Sequence, residues 1–172
     1  IQKETIKIKE SYDVVVIGTE PEGIAAAVSA ARNGAKTLLV DSREELGGLF
    51  TYGMLNYLDI PQGHDGLSVS KGIYEEWHQL VGNNSAFGIE EAKAAFAKLI
   101  NEEENITLFT LTNLIEVNVE NNTIKSIILE NSDGTYEITS PSYIDATQDG
   151  DFAVMAGAPY FIGGEDLFID KK

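Results

Sequence analysis

The sequence contains no cysteine, and that one absence removes several chemistries at once. No disulfide, thiolate nucleophile, redox-active dithiol or cysteine-based zinc site can be assembled from this chain. Histidine is nearly as scarce. His64 and His78 are the only two, and neither has neighbours at ligand spacing, so no metal site is expected. Basic residues are outnumbered, with 12 Lys and Arg against 28 Asp and Glu, for a formal charge of −16. Such a surface repels nucleic acid and anionic membrane, so neither is expected as a partner; solubility is the simple reading of the acidity. No apolar run approaches the roughly 20 residues that a membrane-spanning helix needs. Internal repeats, low-complexity tracts and linker-like composition shifts are also missing. The chain opens at Ile1 with neither a methionine nor a signal-peptide pattern, as expected of a trimmed piece, and no compartment is legible.

What is present fits a globular α/β chain. Apolar residues make up 43% of the 172 positions, and 16 glycines allow many tight turns. The organising stretch runs from Asp13 to Asp41. Val14-Val15-Val16-Ile17 is an unbroken β-branched run, the pattern of a strand buried on both faces of a parallel sheet. The turn Gly18-Thr19-Glu20-Pro21-Glu22-Gly23 follows, and Pro21 suits the first turn of a helix. Ile24 to Asn33 is alanine-rich, so that helix can lie close to its strand, and Gly34 ends it. Thr37-Leu38-Leu39-Val40 is a second buried strand with Asp41 at its tip.

The chemistry of such a unit is dinucleotide binding. A helix N-terminus offers free N–H groups and about half a positive charge to a pyrophosphate. An acid about twenty residues on accepts hydrogen bonds from a ribose. Asp41 lies 18 residues after Gly23. The middle glycine of the fingerprint is replaced by Glu20, whose carboxylate would crowd and repel a pyrophosphate unless it turns away.

Along the remainder, Thr5 to Ile8 alternates and is expected to form a short edge strand. A glycine pair, Gly47-Gly48, closes the loop after Asp41, and Thr51 to Gly66 reads as an ordered loop against a ligand or another domain. Val69, Ile73, Trp77 and Leu80 predict one helix; Ala92, Ala95, Phe96, Leu99 and Ile100 predict another. Ile106 to Phe109 is a third buried strand. Leu114–Val119, Thr123–Glu130 and Thr135–Thr139 then read as three short strands joined by good hairpin turns, Asn121-Asn122 and Ser132-Asp133-Gly134. Ser142 to Asp145 returns as another strand, and Phe152 begins a helix. One crossover of a parallel sheet would therefore be a β-meander, at about residues 113–140. The fold class expected is a Rossmann-like parallel sheet with helices and a three-stranded antiparallel meander, in one domain over residues 1–172.

Simple readings compete with functional ones elsewhere. Asp151 fits an N-cap for the following helix, and Asp149 is open between cap and cofactor contact. His78 follows core-facing Trp77 and is expected to turn to solvent, while His64 lies in the loop read as facing a ligand or another domain. Tyr52, Tyr57 and Trp77 read as packing residues, and Glu102-Glu103-Glu104 as a solvated helix end.

These parts, in this order, resemble the FAD-binding portion of FAD-dependent oxidoreductases of the glutathione-reductase type, most closely a bacterial group. The carriers are VVVIGTEPEG, the acid at Asp41, LGGLFTYG from Leu46 to Gly53, and YIDATQDGDFAVMAGAP from Tyr143 to Pro159. The resemblance covers essentially the whole chain, but the chain covers only part of the family, whose second lobe is missing here. It implies FAD as cofactor, with the Gly18, Thr19, Glu20, Pro21, Glu22 and Gly23 turn facing the pyrophosphate. Asp41 would hold the adenosine ribose, with Ser42 and Arg43 beside the adenine half. Gly47, Gly48 and Leu49 would pass under the pyrophosphate and ribityl chain. The Leu114 backbone would bond adenine, and Ala146, Thr147 and Gln148 would close over the cofactor. Glu20 and Gln148 stand where glycines are usual. The expected function is the FAD-binding segment of a flavin-dependent oxidoreductase acting on a small-molecule substrate, with no catalytic residue assignable. The alternatives are a non-catalytic structural or interaction module with a degenerate site, and an NAD(P)-binding domain.

Overall fold

The computed structural model describes residues 7–64 and 68–161. Its centre is a four-stranded sheet of β2 (Val14–Ile17), β3 (Thr37–Val40), β4 (Ile106–Phe109) and β8 (Ser142–Asp145). All neighbours are parallel, in the order β4-β3-β2-β8. From β2 the chain passes to β3 on one side, and β8 later docks on the other. This reversal of direction leaves a crevice at the C-terminal ends of the strands.

Period-two alternation sorts the two faces. Val16 and Leu39 point to a core shared with α1 (Pro21–Arg32), α3 (Ile73–Leu80) and α4 (Ile89–Asn101). Val15, Ile17, Leu38 and Val40 point the other way, onto the meander residues Ile127, Leu129, Tyr136 and Ile138. The central strands are apolar on both faces because both faces are covered. β4 lies at the sheet edge and is only half-buried throughout, less than its apolar sequence suggests.

The meander is β5 (Asn113–Glu120), β6 (Thr123–Asn131) and β7 (Gly134–Thr139). Asn121 and Asn122 both take positive φ, as a tight hairpin demands. A fourth strand joins this sheet. β1 (Lys7–Ser11) pairs in parallel with β7, from Lys7 against Thr135 to Ser11 against Thr139. The expected edge strand therefore exists from Lys7 onward; Thr5 and Ile6 lie outside the described residues.

Glycine fixes the close approach of α1. At Gly18 (φ +108) a Cβ would lie 2.1 Å from the Ala146 carbonyl oxygen, and at Gly23 one would lie 2.1 Å from the Gly18 carbonyl oxygen. Strand, helix and β8 are thus packed backbone to backbone.

Several local expectations change. Val69 lies outside α3, which starts after Gly72 (φ +75), and Val69 is exposed. His78 is buried rather than solvated: its ring stacks on Tyr74, and its Nε2 lies 3.0 Å from the Asn84 carbonyl oxygen. Trp77 is in the core against Phe50, Phe87 and Phe96. Tyr52 and Tyr57 are exposed, Tyr52 with the Arg43 guanidinium over its ring. Glu103 is not simply solvated, since it binds Arg32 at 2.6 Å. The stretch after α2 (Gly48–Thr51) is an irregular loop pinned through Tyr57 and Leu58 to the 85–87 segment. Its residues 65–67, including Gly66, lie outside the described residues.

Candidate cofactor site

A cleft of about 440 Å³ opens at the C-terminal ends of β2, β3 and β8. Asp41, directly beyond β3, sits on its floor and is buried to 6% exposure. Its Oδ2 accepts hydrogen bonds from the Thr19 amide and the Thr19 hydroxyl, both at 2.7 Å. Its Oδ1 accepts from the Arg43 amide at 2.8 Å and Arg43 Nε at 3.1 Å, and Arg43 also reaches Oδ2 at 2.8 Å. Burial pushes the Asp41 carboxyl up, but the Arg43 side chain and amide, with Thr19, outweigh it and hold it down at about 2. Asp41 is therefore a fixed anion. It ties the first glycine turn to the second strand.

Arg43 spans two carboxylates. Besides Asp41, it donates to Glu20 Oε1 at 2.7 Å. Its bond to Asp41, against partial burial and helped by Glu20, raises the guanidinium pKa above its ordinary value. Glu20 is only 2% exposed, and its Oε2 accepts the Leu49 amide at 2.8 Å. Its carboxylate lies against Gly48, where a Cβ would come within 1.9 Å of it. The Glu20 side chain does not turn out to solvent. It lies between the two glycine segments.

A second small network orders the far wall. Asp145 accepts the Thr147 amide at 2.9 Å and hydroxyl at 2.6 Å with one oxygen, and the Ala153 amide at 2.8 Å with the other. The Thr147 hydroxyl in turn accepts the Asp151 amide. Together they satisfy two first-turn amides of α5 (Asp151–Met155). Asp151 is the first helical residue rather than the cap: Gly150 holds the cap position, with no side-chain capping bond. The aspartate that satisfies this helix is six positions earlier.

Of the residues singled out in the sequence, Gly18, Glu20, Asp41, Ser42, Arg43, Leu114, Thr147 and Gln148 line the cleft. Thr19 is wholly buried beneath it, and Ala146 is buried under Gly18. Gly23 packs against Gly18, and Gly47 against the Phe96 ring. Pro21 and Glu22 border a separate apolar cavity of about 300 Å³ with Phe50, Tyr74 and Trp77. Leu49 is exposed. Thr112 and Asn113 also line the cleft without a sequence signal for it, and Asp151, Val154 and Met155 bring in the later part of the Tyr143–Pro159 segment. Thr112 and Asn113 reach it because the 110–113 segment runs beside Asp41, whose carbonyl accepts the Thr112 amide, whereas Val154 and Met155 reach it from α5. His64 is exposed and does not line the cleft.

The family model described as FAD dependent oxidoreductase matches residues 13–167. The chain belongs to this family of FAD-dependent oxidoreductases. Relatives match mainly over a short stretch. Digeranylgeranylglycerophospholipid reductase of Methanococcus vannielii is 50% identical over 40 residues, covering 23% of this chain and 10% of that protein. Soluble pyridine nucleotide transhydrogenase of Pseudomonas syringae pv. tomato is 52% identical over 42 residues, covering 24% of this chain and 9% of that one. The fold is shared more widely. A geranylgeranyl bacteriochlorophyll reductase-like protein from Thermoplasma acidophilum superposes with a TM-score of 0.59 at 21% identity, over 87% of this chain and 43% of that chain. THI4 of Thermovibrio ammonificans gives 0.58 at 18% identity, over 81% and 58%. The chain thus spans a minor to moderate share of the proteins it matches.

The family's cofactor can be tested against these residues. The cleft has room for an adenosine end, and its walls mix apolar side chains with the polar groups of Asp41, Ser42, Arg43 and Gln148. The space between the glycine turn and Gly48, where the resemblance would put the diphosphate, holds the Glu20 carboxylate, so these residues as they stand do not fit a diphosphate there.

Proposed function

We propose that residues 1–172 are the FAD-binding segment of a flavin-dependent oxidoreductase that acts on a small-molecule substrate. The flavin would carry the hydride or electron transfer, and this chain would bind and orient it. The observation that carries the reading is the cleft at the strand-order reversal, with Asp41 on its floor and the meander strand β5 on its wall. In this reading Asp41 and Ser42 serve the ribose, Arg43 the adenine half, and the Leu114 backbone the adenine edge. Gly18, Thr19, Pro21, Glu22 and Gly23 supply the turn, Gly47, Gly48 and Leu49 the opposing loop, and Ala146, Thr147 and Gln148 the cover. The flavin ring and substrate would be enclosed by a second lobe of the parent protein. The exposed apolar side chains of Leu49, Met54 and Tyr57 suit such a covering.

Titration of the purified chain with FAD, read by flavin absorbance and fluorescence, tests this. Saturable uptake competed by adenosine supports the reading. A colourless chain that takes up no flavin at any concentration favours the non-catalytic module, for which Glu20 in the diphosphate space is the specific observation. Thermal stabilisation by NAD and none by FAD favours a nicotinamide-binding domain.

A further inference from the structure

We propose that Glu20 is an internal anion that occupies the diphosphate position, so that this cleft discriminates against phosphorylated ligands until Glu20 leaves. The inference rests on the adenosine-end reading of the cleft and deepens it.

Three observations converge on this carboxylate. It is almost fully buried, a placement that a carboxylate adopts only with partners. Its partners are those an anionic ligand would use: the Leu49 amide at 2.8 Å and the Arg43 guanidinium at 2.7 Å. It also lies against the Cα of Gly48, in the gap where two glycine segments approach one another. A diphosphate entering that gap meets the same donors already taken and a like charge in contact.

The charge of the walls points the same way. Among the described residues, the ionisable ones lining the cleft are Glu20, Asp41, Asp151 and Arg43, three carboxylates against one cation. A neutral nucleoside enters without opposing charge, whereas a diphosphate does not. Arg43 cannot simply turn to an incoming phosphate, because it bridges Glu20 and Asp41 and both would lose their counter-ion. Uptake of a dinucleotide is therefore coupled to removal of Glu20 from the gap, and Glu20 sets the ligand class.

Adenosine and ADP are the probes, differing only in the diphosphate, with binding to the wild-type chain, Glu20→Gly and Glu20→Gln measured by calorimetry. ADP affinity is expected to rise at least tenfold in Glu20→Gly and severalfold in Glu20→Gln, while adenosine affinity changes less than threefold. Glu20→Gln keeps the side-chain shape, so it decides the matter if the glycine variant folds poorly. Equal gains for adenosine and ADP, or wild-type ADP affinity matching that of the variants, overturn the role of Glu20 and leave the adenosine site standing. If neither probe binds any of the three proteins, the inference and the cofactor-site reading both fall.

Discussion

Glu20 reaches across the site to Leu49, accepting its backbone N–H at 2.8 Å, so the strand-to-helix turn and the Gly47-Gly48 loop are joined by a side chain. A glycine in that position leaves the two segments apart and open to a ligand. A glutamate makes them a closed pair. The same carboxylate is held by Arg43, which in turn holds Asp41. The site is thus prearranged around two anions and one cation, and its stability and selectivity have a common origin.

Acid should weaken the chain through Asp41. Its carboxyl is lowered from 3.8 to about 2. A depressed carboxylate stabilises the fold fully above its unfolded value, near pH 4, and that stability is lost as pH falls toward 2. The contribution is on the order of 2 kcal/mol. Asp41→Asn should therefore unfold more easily than wild type at pH 7, by about that amount, with the gap closing between pH 4 and pH 2. Urea titrations across this range measure it; a gap that stays constant down to pH 2 refutes the assignment.

Gly18 and Gly34 make a matched pair for the backbone argument. Both have positive φ, +108 and +87, but only Gly18 has a neighbour where a Cβ would stand. Gly34→Ala should cost about 1 kcal/mol, the ordinary penalty of that conformation. Gly18→Ala should cost about 3 kcal/mol or more, because the Ala146–Thr147 backbone must shift as well. Equal losses in chemical denaturation would show that the close approach to Ala146 contributes nothing.

Trp77 gives a third test. It is 2% exposed among aromatic rings, and its indole Nε1 is the one buried side-chain polar atom without a hydrogen-bond partner among the described residues. Trp77→Phe removes that unsatisfied donor along with some apolar area, so the two effects oppose. The expected loss is under about 1.5 kcal/mol, against about 3–5 kcal/mol for Trp77→Ala. A phenylalanine variant as unstable as the alanine one would mean that the indole's full shape is required.

Much of this architecture is legible in the chain because its signals are local and strong. Val14–Ile17 and Thr37–Val40 are continuous apolar strands covered on both faces, and Asn121-Asn122 is a hairpin turn on its own merits. What stayed hidden depends on contacts distant in sequence. Nothing near Thr112 announces that it shares a wall with Asp41; the meander crossover brings it there. His78 looked turned aside by its neighbour Trp77, yet Tyr74 and the Asn84 carbonyl enclose it. Asp151 had a cap's sequence position, but Asp145 and Thr147 reach the helix first. Glu20 was visible as the odd residue of its motif. Its destination was not, because the amide and guanidinium that receive it lie 29 and 23 positions further on.

The register of β2 against β8, Val14 beside Ser142, has a consequence for how the chain comes to be folded. Strand β2 is made 128 residues before β8, one of the two neighbours that it pairs with. β1 waits in the same way for β7. Until β8 emerges the nascent chain carries a bare, sticky strand edge, and closing so long a loop makes for slow maturation and a need for protection from aggregation.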